Sequence, residues 1–383
     1  MFFLMAESIS GLWDYHTKIM PDIAIFAYTS HPCSSNMNPV SMRLLSQHLA
    51  CRQFSSPEEV VDWMGAMQAQ DHKGIHWAVA MRTRKPSLKS FKDAFDSGKV
   101  VRFHLMRGTW QLVSAGDYWQ MLDLCAPKAL AVTKGWMTTN RISIPSDEAG
   151  RIRDLLASTA DRLGSATKED FIRALAEKDI KMDDHRLSYH IRLSEMSGVL
   201  CSGNMLPLKA TYALAGKKLP ARIKTDRDEA LMMLTRKYFR SRQPATMEDF
   251  SWWSGLNKSD CIRGISLLGD WLHVERWRGR DFYLSDDCRT RGYRNGVLLL
   301  LPPYDEYLIS YKSRDIAVQP EHTHRAHNNS GNFWPVILVD GKAVGNWSMA
   351  KDRISMEFFR EGLPVEPHAL EKETARYDYF ISH

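Results

Sequence analysis

The sequence predicts a mainly α fold with β (α+β): three tandem winged-helix modules followed by a C-terminal β-rich, barrel-like domain. Three observations predict it. The hexapeptide Ala166-Thr167-Lys168-Glu169-Asp170-Phe171 returns 79 residues later as Ala245-Thr246-Met247-Glu248-Asp249-Phe250. Each copy leads into a helix of roughly ten residues and then a short strand, so the duplication extends beyond the hexapeptide. Beyond residue 294 the pattern changes to short apolar runs and a two-residue hairpin signal.

Residues 1–36 read as an extension of uncertain status. Met1-Phe2-Phe3-Leu4-Met5 lacks the basic start of a signal peptide, and residues 23–28 have the composition of a strand. The first module, with its linker, takes residues 37–150. Ser56-Pro57-Glu58-Glu59 is a helix start with a capping residue and acidic first turn. That helix is expected to fade near Met67, and residues 100–104 and 109–113 are expected to form the hairpin strands. The second module takes residues 151–215. It starts its repeated helix at Thr167, continues as a helix over 186–197 and passes into a strand at Gly198-Val199-Leu200-Cys201. The third, residues 216–294, repeats this from Thr246, with a helix over 259–268. Strand 271–276 turns at Arg278-Gly279-Arg280 and returns over 281–284, so a glycine sits at the tip of a basic wing. In residues 295–383, Leu298 to Leu301 read as a buried strand ended by Pro302-Pro303. Asp340-Gly341 joins two more strands, and 354–358 alternates apolar and polar residues.

The chain carries a net charge of +6, and the window 217–242 alone holds nine basic residues against three acidic ones. Lys217, Lys218, Arg222, Lys224, Arg236 and Arg240 lie in it, and further clusters are Arg82-Thr83-Arg84-Lys85 and Arg276-Trp277-Arg278-Gly279-Arg280. Arg82, Arg84, Lys85 and these other cations are the candidate phosphate contacts, with Trp277 beside them at the wing. No apolar run approaches a membrane span of roughly 20 residues. The six cysteines contain no CxxC pair, which points away from a zinc site or disulfide framework and toward free thiols in a cytoplasmic, nucleoid-associated protein. His322, His324 and His327 have turn-like spacing but no accompanying cysteine or carboxylate pattern, so no metal and no cofactor is expected.

Several stretches together resemble one family. They are Gln68-Ala69-Gln70, Arg107-Gly108-Thr109-Trp110-Gln111, Asp249-Phe250-Ser251-Trp252-Trp253, Pro302-Pro303-Tyr304-Asp305-Glu306-Tyr307 and Val339-Asp340-Gly341. In this order they resemble the AlkZ/YcaQ-type winged-helix DNA glycosylases, from Met37 to the C-terminus. The resemblance implies a monofunctional N-glycosylase that excises alkylated purines, especially N7-alkylguanines, with interstrand crosslinks handled by some members. It implies an enzyme acting on double-stranded DNA, with Gln68 and Gln70 as the catalytic pair; three winged helices in one chain remove much of the need for a dimer, so a monomer is expected. Many relatives carry a histidine where this chain has Gln111, so Thr109 and Gln111 are candidate supporting residues whose chemistry here lacks a titrating ring.

A carboxamide does not titrate and is a weak general base. It can orient water toward C1′ and set partial negative charge near a developing oxocarbenium ion, which suffices when the leaving base is already cationic. Two residues apart, the glutamines converge only from extended or helix-end backbone. The expected helix end near Met67 would provide that. The competing reading is a DNA-binding transcriptional regulator without catalysis, which would be expected to dimerise on a palindrome. A third is a protein-binding scaffold.

Overall fold

In the computed structural model, residues 37–383 are described, apart from 208, 351–352 and 363–364. The N-terminal extension and its strand over 23–28 lie outside the described residues. α1 (Pro39–Ser46) is capped by Asn38. α2 (Pro57–Met64) begins in a capping box: Ser56 Oγ accepts the Glu59 N–H at 3.3 Å and the Glu59 carboxylate accepts the Ser56 N–H at 3.1 Å. It ends at Gly65, φ 76°, short of Met67. The chain then runs as β1 (Ala66–Gln68), α3 (Gly74–Ala80), α4 (Leu88–Asp96), β2 (Val100–His104) and β3 (Trp110–Ser114). These strands form an antiparallel sheet in the order β1-β3-β2.

The same order of elements recurs. α5 (Tyr118–Thr139) leads to α6 (Ser146–Leu163), β4 (Ala166–Thr167), α7 (Lys168–Ala176), α8 (Asp184–Met196), β5 (Leu200–Ser202) and β6 (Thr211–Leu214). Their sheet order is β4-β6-β5. After α9 (Ala215–Lys218) come α10 (Arg227–Arg242), α11 (Met247–Ser254), α12 (Lys258–Leu268), β7 (Leu272–Trp277) and β8 (Arg280–Ser285). Here the first strand shrinks to a bridge, Ala245 pairing with Tyr283. Both hexapeptides perform the expected task. Thr167 Oγ1 accepts the Asp170 N–H at 3.2 Å and Thr246 Oγ1 accepts the Asp249 N–H at 3.1 Å, each with a reciprocal bond from the aspartate.

The C-terminal region comprises β9 (Leu298–Leu301), α13 (Glu306–Ile309), α14 (Thr323–Ala326), β10 (Val336–Val339), β11 (Lys342–Ala350), β12 (Arg353–Phe358) and α15 (Pro367–Ser382). Its strands pair antiparallel in the order β12-β11-β10-β9 and do not close, which corrects the barrel-like expectation. α15 was also not anticipated. Its Leu370, Tyr377 and Phe380 recur at helical spacing and join the same core as the sheet, with Tyr377 and Phe380 against the Trp77 ring at 5.0 and 5.2 Å. The C-terminal helix thus packs on α3 of the first module. With a helix on the sheet, all four residues of β9 are buried.

Residues 37–383 form one compact unit. α10 runs through its largest core, with Tyr238 and Phe239 packed against Phe250. The buried Lys237 of α10 donates to Asp62 of α2 at 2.7 Å and to Asp117. No helix among the described residues is long and apolar enough to cross a membrane.

Candidate active site

Gln68 lies on β1, directly opposite Gln111 of β3. The strand pairing continues one residue further, since the Ala69 N–H donates to the Trp110 carbonyl at 2.9 Å. Ala69 is the last residue paired to β3, and Gln70 follows it in a bend. A strand, and not a helix terminus, thus carries Gln68, with Gln70 just beyond its end. Gly65 at positive φ breaks the helix early enough for a strand to start.

Around Gln68 the polar groups close into a small network. Gln68 Nε2 donates to Thr109 Oγ1 at 3.3 Å, Gln111 Nε2 donates to Thr109 Oγ1 at 3.0 Å and approaches Gln68 Oε1 at 3.4 Å. The Ala69 N–H also donates to Gln68 Oε1 at 3.0 Å. Gln68 and Gln111 are 7% and 2% exposed, so this amide is held nearly out of water, whereas Gln70 is exposed. No hydrogen bond to the Gln70 amide exists among the described residues. The structure thus gathers Gln68, Thr109 and Gln111 into one cluster, with Gln70 at its open edge.

What fixes this cluster lies far from it in the sequence. The Gln68 N–H donates not to a strand but to Glu306 Oε1, at 2.6 Å. Glu306 Oε2 in turn accepts from Arg242 Nη2 at 2.5 Å, from Trp253 Nε1 at 3.1 Å and from Ser310 Oγ. Arg242 continues to the Met64 and Ala66 carbonyls at 2.6 and 2.7 Å, spanning the start of β1. Burial pushes the Glu306 carboxyl up, but the Arg242 charge and the donors around it outweigh that and hold it below its ordinary value. On the other side of the motif, Arg102 Nε donates to the Ala69 carbonyl at 2.9 Å and its guanidinium lies 3.8 Å over the Trp110 ring. Both peptides of the motif are therefore gripped by buried charges. An acidic pair following Pro302-Pro303 was the available signal for Asp305 and Glu306.

The candidate DNA contacts divide sharply. Arg82 cannot be one: it is fully buried, and its Nη1 and Nη2 donate to the Asp305 carboxylate at 2.8 and 2.9 Å. It lies in the turn that follows α3 and points into the core as the partner of Asp305. Lys237 and Arg242, counted in the basic window, are likewise buried in ion pairs. Lys218 is half-buried and donates to the Ser202 and Gly203 carbonyls at 3.0 and 2.8 Å. Arg240 bonds the Asp62 carbonyl at 2.9 Å over the Trp63 ring. Lys217 pairs with Asp161, and Arg222 with Asp123. At the wing, Arg276 pairs with Asp281 at 3.1 Å and Arg280 with Asp315 at 2.7 Å, while Arg278 lies over the Trp277 ring at the tip. Arg84, Lys85, Lys224 and Arg236 are exposed, the last stacked 4.6 Å over Trp271. Much of the apparent excess charge is thus neutralised inside the fold. His322 and His327 turn to separate rings, Phe359 and Phe333.

The model of the AlkZ-like DNA glycosylase family matches residues 61–380. An interstrand DNA cross-link repair glycosylase of Streptomyces sahachiroi is 26% identical over 354 residues, covering 87% of this chain and 93% of that protein. The solved structure of Streptomyces sahachiroi DNA glycosylase AlkZ has a similar fold, with a TM-score of 0.73 at 22% identity, covering 89% of this chain and 95% of that one. With the family match spanning the paired strands, the glutamine motif and the C-terminal sheet, this chain belongs to the AlkZ-like family of DNA glycosylases, hydrolases that act on N-glycosidic bonds.

Proposed function

We propose that this enzyme hydrolyses the N-glycosidic bond of alkylated purines of the N7-alkylguanine class, including those joined in interstrand crosslinks, with Gln68 and Gln70 as its catalytic residues. The observation that carries the reading is the Gln68–Thr109–Gln111 network with the exposed Gln70 beside it. Gln70 has a free amide and is the residue to accept a hydrogen bond from the attacking water. Gln68 is already oriented by its neighbours and contributes a fixed dipole near C1′. Water adds at C1′ as the glycosidic bond breaks, the electron pair of that bond neutralises the cationic base, and the water's proton passes to solvent. Neither glutamine need take a full charge, because the positive base is its own good leaving group.

Supporting this reading at the level of the fold, the thrice-repeated helix–strand–helix–helix–hairpin order is that of three winged-helix modules, 37–150, 151–215 and 216–294, ahead of the region 295–383. Three such modules in one chain would engage duplex DNA as a monomer, without the dimer a palindrome-binding regulator needs. The exposed cations Arg84, Lys85, Lys224, Arg236 and Arg278 are the wider phosphate contacts, and the location that fits is the nucleoid. The crosslink activity is carried over from the name of the Streptomyces relative.

The test is single-turnover release of base from duplex DNA containing one N7-methylguanine, and from a duplex with an N7-linked crosslink. Gln68→Ala and Gln70→Ala should each slow release on the order of 10²-fold while binding the same DNA. Full release by both variants would overturn the assignment.

A further inference from the structure

We propose that Arg107 and Arg314 form a binding site for a backbone phosphate of the strand that presents the target nucleotide to Gln70. The proposal rests on the glycosylase reading above for the strand it names, but not for the site itself. Arg107 lies in the turn between β2 and β3, at φ 55°, and is followed by Gly108 at φ 70° and by Thr109 of the glutamine network. Two residues of chain span at most about 7 Å, so the stem of Arg107 starts within that distance of Thr109. A non-glycine residue in the left-handed region is uncommon and costs on the order of 1 kcal/mol. Here the turn carries an arginine away from the sheet and onto α11.

The two guanidiniums share one platform. Arg107 lies 5.5 Å and Arg314 5.2 Å from the centre of the Trp252 ring, and Arg314 lies 4.9 Å from that of Phe333. Both are tethered by carbonyls only. Arg107 Nη1 donates to the Trp252 carbonyl at 2.7 Å, and Arg314 Nε and Nη1 donate to the Leu308 and Lys312 carbonyls at 3.2 and 3.3 Å. Gly255 leaves room for this arrangement, since a Cβ there would stand 2.9 Å from Arg107 Cγ.

Neither arginine has a carboxylate within ion-pair distance among the described residues. The acids that act on them are committed elsewhere: Glu306 is bound by Arg242, and Asp249 receives the Thr246 and Lys312 N–H groups and faces Arg43. Arg314 Nη2 is buried with no hydrogen-bond partner. Burial and then the charge of Arg107 hold the Arg314 pKa down to about 10. Among the described residues Arg192 also has a buried nitrogen without a partner, but it lies over a different ring, Trp136. Two cations around one aromatic ring, with a donor left over, are what a bound anion would complete. In a DNA glycosylase, beside its glutamine network, that anion is a phosphodiester.

The experiment measures binding of the full chain to a duplex carrying one N7-methylguanine, and to the undamaged duplex, across a salt series. Arg107→Gln and Arg314→Gln should each weaken binding on the order of tenfold and lower the slope of log K against log salt by about one. Arg107→Lys and Arg314→Lys should keep the slope, and thermal melts check that the variants fold. Independently of any variant, replacing single phosphates near the lesion by neutral methylphosphonates should reveal one position that weakens the wild-type enzyme comparably. That penalty should vanish in the double glutamine variant. Wild-type affinity and slope in both glutamine variants would overturn the site, as would a flat methylphosphonate profile or a penalty that adds to the variants' own. Base release by the wild type is scored in parallel. Its absence alongside the expected salt and phosphate effects would sink the proposed reaction while leaving the phosphate site standing.

Discussion

Gln68 and Gln70 have the same chemistry but opposite surroundings. Gln68 is nearly buried in a network with Thr109 and Gln111, whereas Gln70 stands in solvent. Substituting the first removes an oriented dipole and leaves Thr109 and Gln111 to repack; substituting the second removes a contact to water and substrate. Titrating residues near the motif behave differently again. Burial lowers the His76 pKa to about 3 from an ordinary 6.5, helped by the neighbouring His72 and Arg102 charges, while its ring packs 4.6 Å from Phe91. Once unfolded, the ring regains its ordinary value and binds a proton that the folded chain refuses. Its contribution to stability is therefore present above the unfolded value and is lost as pH falls from about 6.5 toward 3. His76→Phe keeps the ring and removes the proton. Its stability relative to wild type should shift in its favour by about 2 kcal/mol between pH 7 and pH 5. Denaturant melts of both proteins at the two pH values measure it, and an unchanged difference would contradict the assigned burial.

At the scale of elements, the repeated junction between a strand and the following helix is put to two uses. In β4–α7 and before α11 it holds a capping threonine with its reciprocal aspartate. Between β1 and α3 the corresponding stretch carries Gln68-Ala69-Gln70, and α3 begins at Gly74 with no side-chain cap from Lys73 before it. The two caps predict different consequences. Thr167→Ala removes one helix cap, at a cost of about 1 kcal/mol. Thr246→Ala frees the same bond, but Asp249 also receives the Lys312 N–H at 2.8 Å and faces Arg43, so a larger loss is expected. Thermal unfolding of the two variants side by side decides it; equal losses would mean that Asp249 keeps its place without the threonine. The junctions were legible in the sequence because a cap is a local device. The barrel expectation failed for the complementary reason, since closure depends on which edge strands meet, and α15 packs beside β9 instead.

Over the whole molecule, buried charge binds the glutamine motif to parts of the chain far away. Arg242 of α10, Glu306 of α13 and the Gln68 N–H form one line across the core, and Arg82 with Asp305 forms a second beside it. Removing one partner of such a pair leaves an unpaired charge inside, so Glu306→Gln should cost about 3–5 kcal/mol. It should also slow base release beyond what the lost stability explains, because the Gln68 peptide loses its acceptor. Release rates measured well below the variant's melting temperature would separate the two, and a wild-type rate there would show that Glu306 only stabilises. By itself the sequence determined the repeat, its caps, the hairpins and the glutamine motif, because each depends on residues near one another along the chain. Only the tertiary structure decided that the motif starts at the end of a strand, that Glu306 and Arg102 grip it, and that Arg82, Lys237 and Arg242 belong to the core. A cation looks the same in a sequence whether it faces a phosphate or a buried carboxylate, and the distinction is made by desolvation once distant segments pack.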